Sequence, residues 1–185
     1  MDKSNTVLGK SVCYLAGPID HAKDLGVNYR RYVINESEKK GLGIKFLDPT
    51  NKLVGLADDV GVEQANIQRF KENNEWDKLT TMMRKIVRAD LRQVDLSDFI
   101  IVLVDTNVHM CGTYHELILA DIQKKPVLAV IVGGKDKAPS WLFGIIDHNL
   151  MFDDLDACID YLSQINKGEV NLSDRWVLFR KELEK

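Results

Sequence analysis

The tetrad Thr113-Tyr114-His115-Glu116 follows Gly112 and a short polar loop. It lies within Phe99–Ala120, FIIVLVDTNVHMCGTYHELILA, which reads as a buried strand, a loop, and a helix whose first turn carries Glu116. In an open α/β sheet, ligands sit where strands end and helices begin, so a carboxylate at this junction is placed to meet a substrate. Gly112 ahead of the helix lets backbone N–H groups approach an anion. The helix dipole keeps a first-turn carboxylate ionised, as a nucleophile requires. The same tetrad also has the form of a capping box, with Thr113 as cap and Glu116 reaching back to its N–H. Local sequence leaves both readings standing.

Asp90 is the second carboxylate that stands out. The segment Trp76–Leu96 carries an apolar stripe through Leu79, Met83, Ile86, Val87, Leu91 and Val94. At about 100° per residue, Asp90 falls within that stripe. A charge there is costly unless it is paired or employed. Either a partner in the fold neutralises it, or it points into a cleft. A third element, Tyr14-Leu15-Ala16-Gly17-Pro18-Ile19-Asp20, is a strand opening into a Gly-Pro turn. Asp20, with Tyr29 and Arg30 downstream, can line a pocket at the same sheet edge, or the turn simply ends the strand. Asp98, just before a strand, reads as a turn residue.

Other chemistries find no motif. Gly133-Gly134-Lys135 lacks phosphate-loop spacing. His21, His109, His115 and His148 show no metal-ligand spacing, there is no Cys-x-x-Cys, and no serine sits in a nucleophile elbow. No metal site is expected, and paired carboxylates are what remains.

The elements that must hold these residues alternate. Strands are expected at Ser11–Ala16, Ile44–Leu47, Phe99–Val104 and Val127–Val132. Helices are expected at Val27–Lys40, Trp76–Leu96, Gly112–Lys124 and Leu155–Ile165. Thr50–Glu75 is an excursion with one short helix near Val62–Phe70, and a helical tail, Ser173–Lys185, has Ser173 as its cap. Strands that are apolar throughout and alternate with helices indicate a parallel sheet covered on both faces. With 185 residues, the chain fits one α/β domain over 1–185 that buries its own core.

A composition of 45% hydrophobic and 29% charged residues with net charge −3 gives no reason to expect nucleic acid as a partner, and the basic cluster Arg84, Lys85, Arg88 reads as a solvated helix face. Three widely spaced cysteines suggest reduced thiols, and the N-terminal MDKSNTVLGK lacks the apolar stretch of a signal peptide. No segment approaches membrane-spanning length. A cytoplasmic protein is expected.

Four segments in order, YLAGPID at 14–20, ADLRQVDLSDFIIVLVD at 89–105, CGTYHELILADIQKKPVLAV at 111–130 and WLFGIIDHNLMFDDLDACIDYL at 141–162, resemble the nucleoside 2-deoxyribosyltransferase family. That family includes relatives that hydrolyse the N-glycosidic bond of nucleoside monophosphates. The resemblance implies a flavodoxin-like, doubly wound, mostly parallel sheet with helices on both faces. It implies Glu116 as the nucleophile at the anomeric carbon and Asp90 beside the leaving base, with Asp98 closing the second motif. The Tyr14–Asp20 turn, with Tyr14, Gly17 and Asp20, would match the loop that lines the family's sugar and base pocket, and Arg30, Asp105 and Gly112 are further candidate substrate-binding residues. Family members often hold a 5′-hydroxyl or 5′-phosphate with a serine or aspartate six residues before the nucleophile. Met110 stands there instead, with His109 beside it as a possible phosphate contact. Thr50–Glu75 and the tail lie outside the resemblance.

The expected partner is a small nucleoside or nucleotide, with no cofactor. The protein would be a homo-oligomer, dimer or higher, whose pockets are completed by a neighbour. Fold does not fix function, so a non-catalytic nucleotide-binding protein, a sensor or sequestering module on the same fold, is the alternative.

Overall fold

The computed structural model describes residues 7–51, 59–172 and 174–176. Five strands are formed: β1 (Val12–Ala16), β2 (Lys45–Leu47), β3 (Phe99–Val104), β4 (Val127–Ile131) and β5 (Met151–Phe152). Their order is β2-β1-β3-β4-β5 and every pairing is parallel. This is the flavodoxin-like doubly wound order, whose direction reverses between β1 and β3. The two-residue β5 escaped the sequence reading because it is too short to show a period.

The runs VCYLA, FIIVLV and VLAVI are almost wholly buried, as a sheet with both faces covered demands. The five α-helices are α1 (Val27–Lys39), α2 (Val60–Glu72), α3 (Trp76–Leu96), α4 (Cys111–Ile122) and α5 (Leu155–Lys167). Helices α1 and α5 pack together in one layer; α4 packs on α3, and α3 on α2, in the other. The excursion therefore contains a full helix longer than the short one expected, capped by the Asp59 side chain on the Gly61 N–H. The expected tail helix lies outside the described residues, Ser173 included, apart from a short 3₁₀ turn at Asp174–Trp176. Trp176 is buried there, its ring 5.3 Å from that of Phe99.

Two polar ties fix β1 against its neighbours. At its start, Asp98 Oδ2 accepts from the Val12 N–H at 2.7 Å while the Asp98 N–H donates to the Val12 carbonyl, locking the β1–β3 register. At its end, Arg30 of α1, fully buried, donates Nε to the Leu15 carbonyl, Nη1 to Gly26 and Nη2 to Gly17, at 3.0, 2.8 and 3.0 Å. Asp48 lies 3.6 Å from Nε and supplies the counter-charge. A guanidinium has the planar fork such a three-carbonyl clamp requires.

Candidate active site

A cavity of about 360 Å³ opens at the carboxyl ends of β1 and β3, the point where strand order reverses. Its size suits a small organic ligand. Four pieces of chain wall it: the turn after β1 (Gly17, Pro18, Ile19, Asp20, His21), α2 (Glu63, Gln64, Ile67), α3 (Met83, Ile86, Val87, Asp90, Leu91) and the start of α4 with the residues before it (His109 to Thr113, His115, Glu116).

Glu116 lies on the inward face of α4, which buries Thr113, Glu116, Leu117 and Ala120 at helical spacing. The helix begins at Cys111 with Met110 as an N-cap that makes no side-chain bond. Glu116 thus stands in the second turn rather than the first, and the capping-box reading is corrected: Thr113 is inside the helix. The carboxylate is instead met by Tyr14 from β1, whose hydroxyl donates to Glu116 Oε1 at 2.7 Å. Glu116 is only 9% exposed. Tyr14 is fully buried, and its pKa lies well above the ordinary phenol value. Burial is the main cause, followed by the negative charges of Glu116 and Asp90. The phenol therefore stays protonated and serves as a donor.

Asp90 lines the cavity from α3, near enough for its charge to act on Tyr14. The stripe on which it was found is not a core face, for among the residues of α3 only Val94 is fully buried. Met83, Ile86, Val87 and Leu91 border the cavity alongside Asp90. Its place on the wall agrees with the reading of a charge that faces a cleft.

The remaining candidates divide. Gly17, Asp20, His109, Met110 and Gly112 line the cavity. Gly17 has to be glycine, since a Cβ there would sit 2.5 Å from the Tyr29 hydroxyl, which donates to the Ala16 carbonyl at 2.6 Å. The Met110 side chain is buried, and its Sδ accepts from the Asp105 N–H at 3.3 Å. Tyr14, Arg30 and Asp105 are not among the lining residues, and Tyr14 reaches the site only through its bond to Glu116. Arg30 is consumed by the β1 clamp, and Asp105 Oδ1 accepts from the Asn107 backbone and side chain, both at 3.0 Å, shaping the loop before α4.

Sequence reading passed over Glu63, Gln64 and Ile67, which belong to the excursion that was taken to be mostly irregular. The spacing of Val60, Glu63 and Ile67, all buried, was the available helical signal. It also passed over His21, whose ring stands edge-on to His109 at 5.7 Å on the cavity wall, and whose Nε2 is 3.5 Å from Asp20. Cys13 and Cys158 are buried free thiols, whereas Cys111 is exposed at the start of α4. Among the described residues, no group of histidine, cysteine, aspartate and glutamate side chains is arranged to hold a metal ion. No helix among them is long and apolar enough to cross a membrane.

No family model and no curated protein matches the chain. Among solved structures, it is similar to that of a 2-deoxyribosyltransferase from Bacillus psychrosaccharolyticus, at 18% identity and a TM-score of 0.52, over 82% of this chain and 92% of that one. It is also similar to a conserved protein from Enterococcus faecalis V583, at 17% identity and a TM-score of 0.44, over 94% and 98% of the two chains. At such identity the likeness to the transferase is one of fold, and the second adds no argument.

Proposed function

We propose that the protein cleaves or transfers at the N-glycosidic bond of a deoxynucleoside, a nucleoside or its 5′-monophosphate, through a covalent glycosyl–Glu116 intermediate. The observation that carries this reading is a ligand-sized cavity lined by both Glu116 and Asp90, with the Tyr14 hydroxyl donating to Glu116 Oε1. The resemblance in sequence motifs and the similarity of fold to a 2-deoxyribosyltransferase support it.

In this mechanism a Glu116 oxygen attacks C1′ as the N-glycosidic bond breaks, through an oxocarbenium-like transition state. The bonding pair leaves with the base nitrogen, and Asp90 assists the proton transfer to it. The Tyr14 hydroxyl orients the carboxylate. The ester is then resolved by a second base, with Asp90 acting in the reverse sense, or by water, which completes hydrolysis. Gly17, Asp20, His109, Met110 and Gly112 contribute the surface on which the sugar lies.

The protein acts in this reading as a homo-oligomer. Trp76 and Val87 on α3, and Ile118 and Ile122 on α4, leave large apolar groups exposed, which supports a self-associating surface. Sedimentation velocity tests it, and a monomer at micromolar concentration would remove that part of the proposal.

The reaction is tested by chromatography of free base after incubation with deoxynucleosides and their 5′-monophosphates, with and without a second base. Release or exchange that disappears in Glu116→Ala, together with a glycosyl adduct mapped to Glu116 by mass spectrometry, is the expected result. Ligand binding without any base release would overturn it in favour of a non-catalytic binder.

A further inference from the structure

Chemistry by Glu116 and Asp90 leaves one buried carboxylate of the cavity wall unused. Glu63 of α2 is 5% exposed and lines the cavity with its helix neighbours Gln64 and Ile67. It is not the cap of its helix, because Asp59 takes that role on the Gly61 N–H. Its position in the first turn of α2 puts a carboxyl group at the positive end of that helix's dipole. Holding an ionised carboxylate in a buried wall is costly unless hydrogen-bond donors meet it. A carboxylate has about four acceptor sites, so one group can serve a partner in the protein and a ligand together.

The order of helices gives Glu63 its place along the ligand. Helix α4 packs on α3, and α3 on α2, so the helices that carry Glu116, Asp90 and Glu63 follow one another along the wall. A nucleoside with C1′ at Glu116 and its glycosidic nitrogen towards Asp90 would direct the far edge of its base at α2.

We propose that Glu63 reads that edge and selects a base presenting two adjacent N–H donors, the guanine type. This rests on the glycosyl-transfer reading for the orientation of the ligand. An ionised carboxylate only accepts, and it pairs best with a parallel fork of two donors. Guanine offers N1–H beside its 2-amino group. Adenine and cytosine set a ring-nitrogen acceptor next to the amine, and thymine and uracil flank N3–H with two carbonyls, so each brings a lone pair against the carboxylate. Gln64, next along α2 and also on the wall, has an amide N–H₂ group that can donate to the O6 carbonyl of such a base.

The test compares deoxyguanosine with deoxyinosine, which differ only in the 2-amino group. Their binding is measured by calorimetry to Glu116→Gln, where no turnover intervenes, and their kcat/KM with the wild type. Deoxyguanosine is expected to be favoured by roughly tenfold or more, and adding Glu63→Gln is expected to bring that ratio close to one. Equal binding of the two nucleosides before Glu63 is altered overturns the proposal and needs no second variant to fold. So does a preference that survives Glu63→Gln. If the binding preference holds while the wild type releases no base, the glycosyl-transfer reading alone fails. If base is released from both alike, the Glu63 assignment alone fails.

Discussion

Tyr14 and Glu116 stand 102 positions apart in the chain, and the Tyr14 hydroxyl reaches Glu116 Oε1 at 2.7 Å inside the fold. The pairing joins the strand on one side of the topological switch point to the helix that follows the strand on the other. A phenol held in its neutral form by burial is a fixed donor, so it orients the carboxylate without competing for its charge.

Removing that donor isolates its contribution. Tyr14→Phe keeps the ring and its packing but deletes a hydrogen bond to a charged group, an interaction of about 1.5–3 kcal/mol. If Glu116 attacks best in the orientation Tyr14 sets, kcat should fall roughly 10- to 100-fold while substrate binding changes little. Steady-state kinetics beside direct binding measurements check this. Unchanged kcat would show that the hydroxyl does not position the nucleophile.

Alkaline pH should destabilise the fold in two stages. Burial raises the thiols of Cys13 and Cys158 and the phenols of Tyr14 and Tyr29 above their ordinary values. Raised groups hold their protons in the folded state, so their stabilisation is fully present below the unfolded pKa and is lost as pH rises past it. The decline should begin near pH ~8.5 from the thiols and steepen near pH ~10 from the phenols, by about 1.4 kcal/mol per pH unit per group. Urea midpoints from pH 8 to 11 (values set around those ionisations) measure it. The slope above pH ~10 should be shallower in Tyr14→Phe. An identical slope in the variant would contradict the assignment.

Arg30 should be a stability residue and not a binding residue. Arg30→Met strips donors from three buried carbonyls and a partner from Asp48, a loss on the order of 3–5 kcal/mol. Arg30→Lys should recover only part of it, since an ammonium cannot span the fork. Urea denaturation reads both. A fully stable Arg30→Met protein with weakened substrate binding would return Arg30 to the pocket.

Gly17→Ala should be damaging out of proportion to one methyl group. The new Cβ would meet the Tyr29 hydroxyl and ring within 2.9 Å. Overpacking of this kind costs typically about 1–3 kcal/mol. Combining Gly17→Ala with Tyr29→Phe removes the nearest clashing atom, so the two changes should be less than additive in thermal melts. Strict additivity would mean that the turn relaxes by another route.

Much of the frame was legible from local pattern. The strand Phe99–Val104 and the helix Trp76–Leu96 have the expected bounds, because an unbroken apolar run and a sustained helical stripe are signals that local sequence carries in full. The all-parallel sheet followed from strands without alternation. The excursion was harder to read. Its helix α2 has only Val60, Glu63 and Ile67 buried, and a carboxylate at one of those positions hides the period.

Residue types and spacing by themselves determined the α/β class, the two carboxylates worth following and the turn that closes β1. Tertiary structure decided what each of them faces, because contact between distant residues depends on where helices sit over the sheet. Glu116 and Thr113 had the form of a cap until α4 was seen to begin at Cys111, which hands Glu116 to Tyr14. Arg30 had the look of a pocket residue until β1 bent its carbonyls around the guanidinium. Asp90 lay in an apolar stripe, and only the packing of α2 and α4 on either side of α3 showed that stripe to be a cavity wall. Local propensity acts within a few residues, whereas burial and desolvation are properties of the assembled layers, and in this protein those layers set what each carboxylate meets.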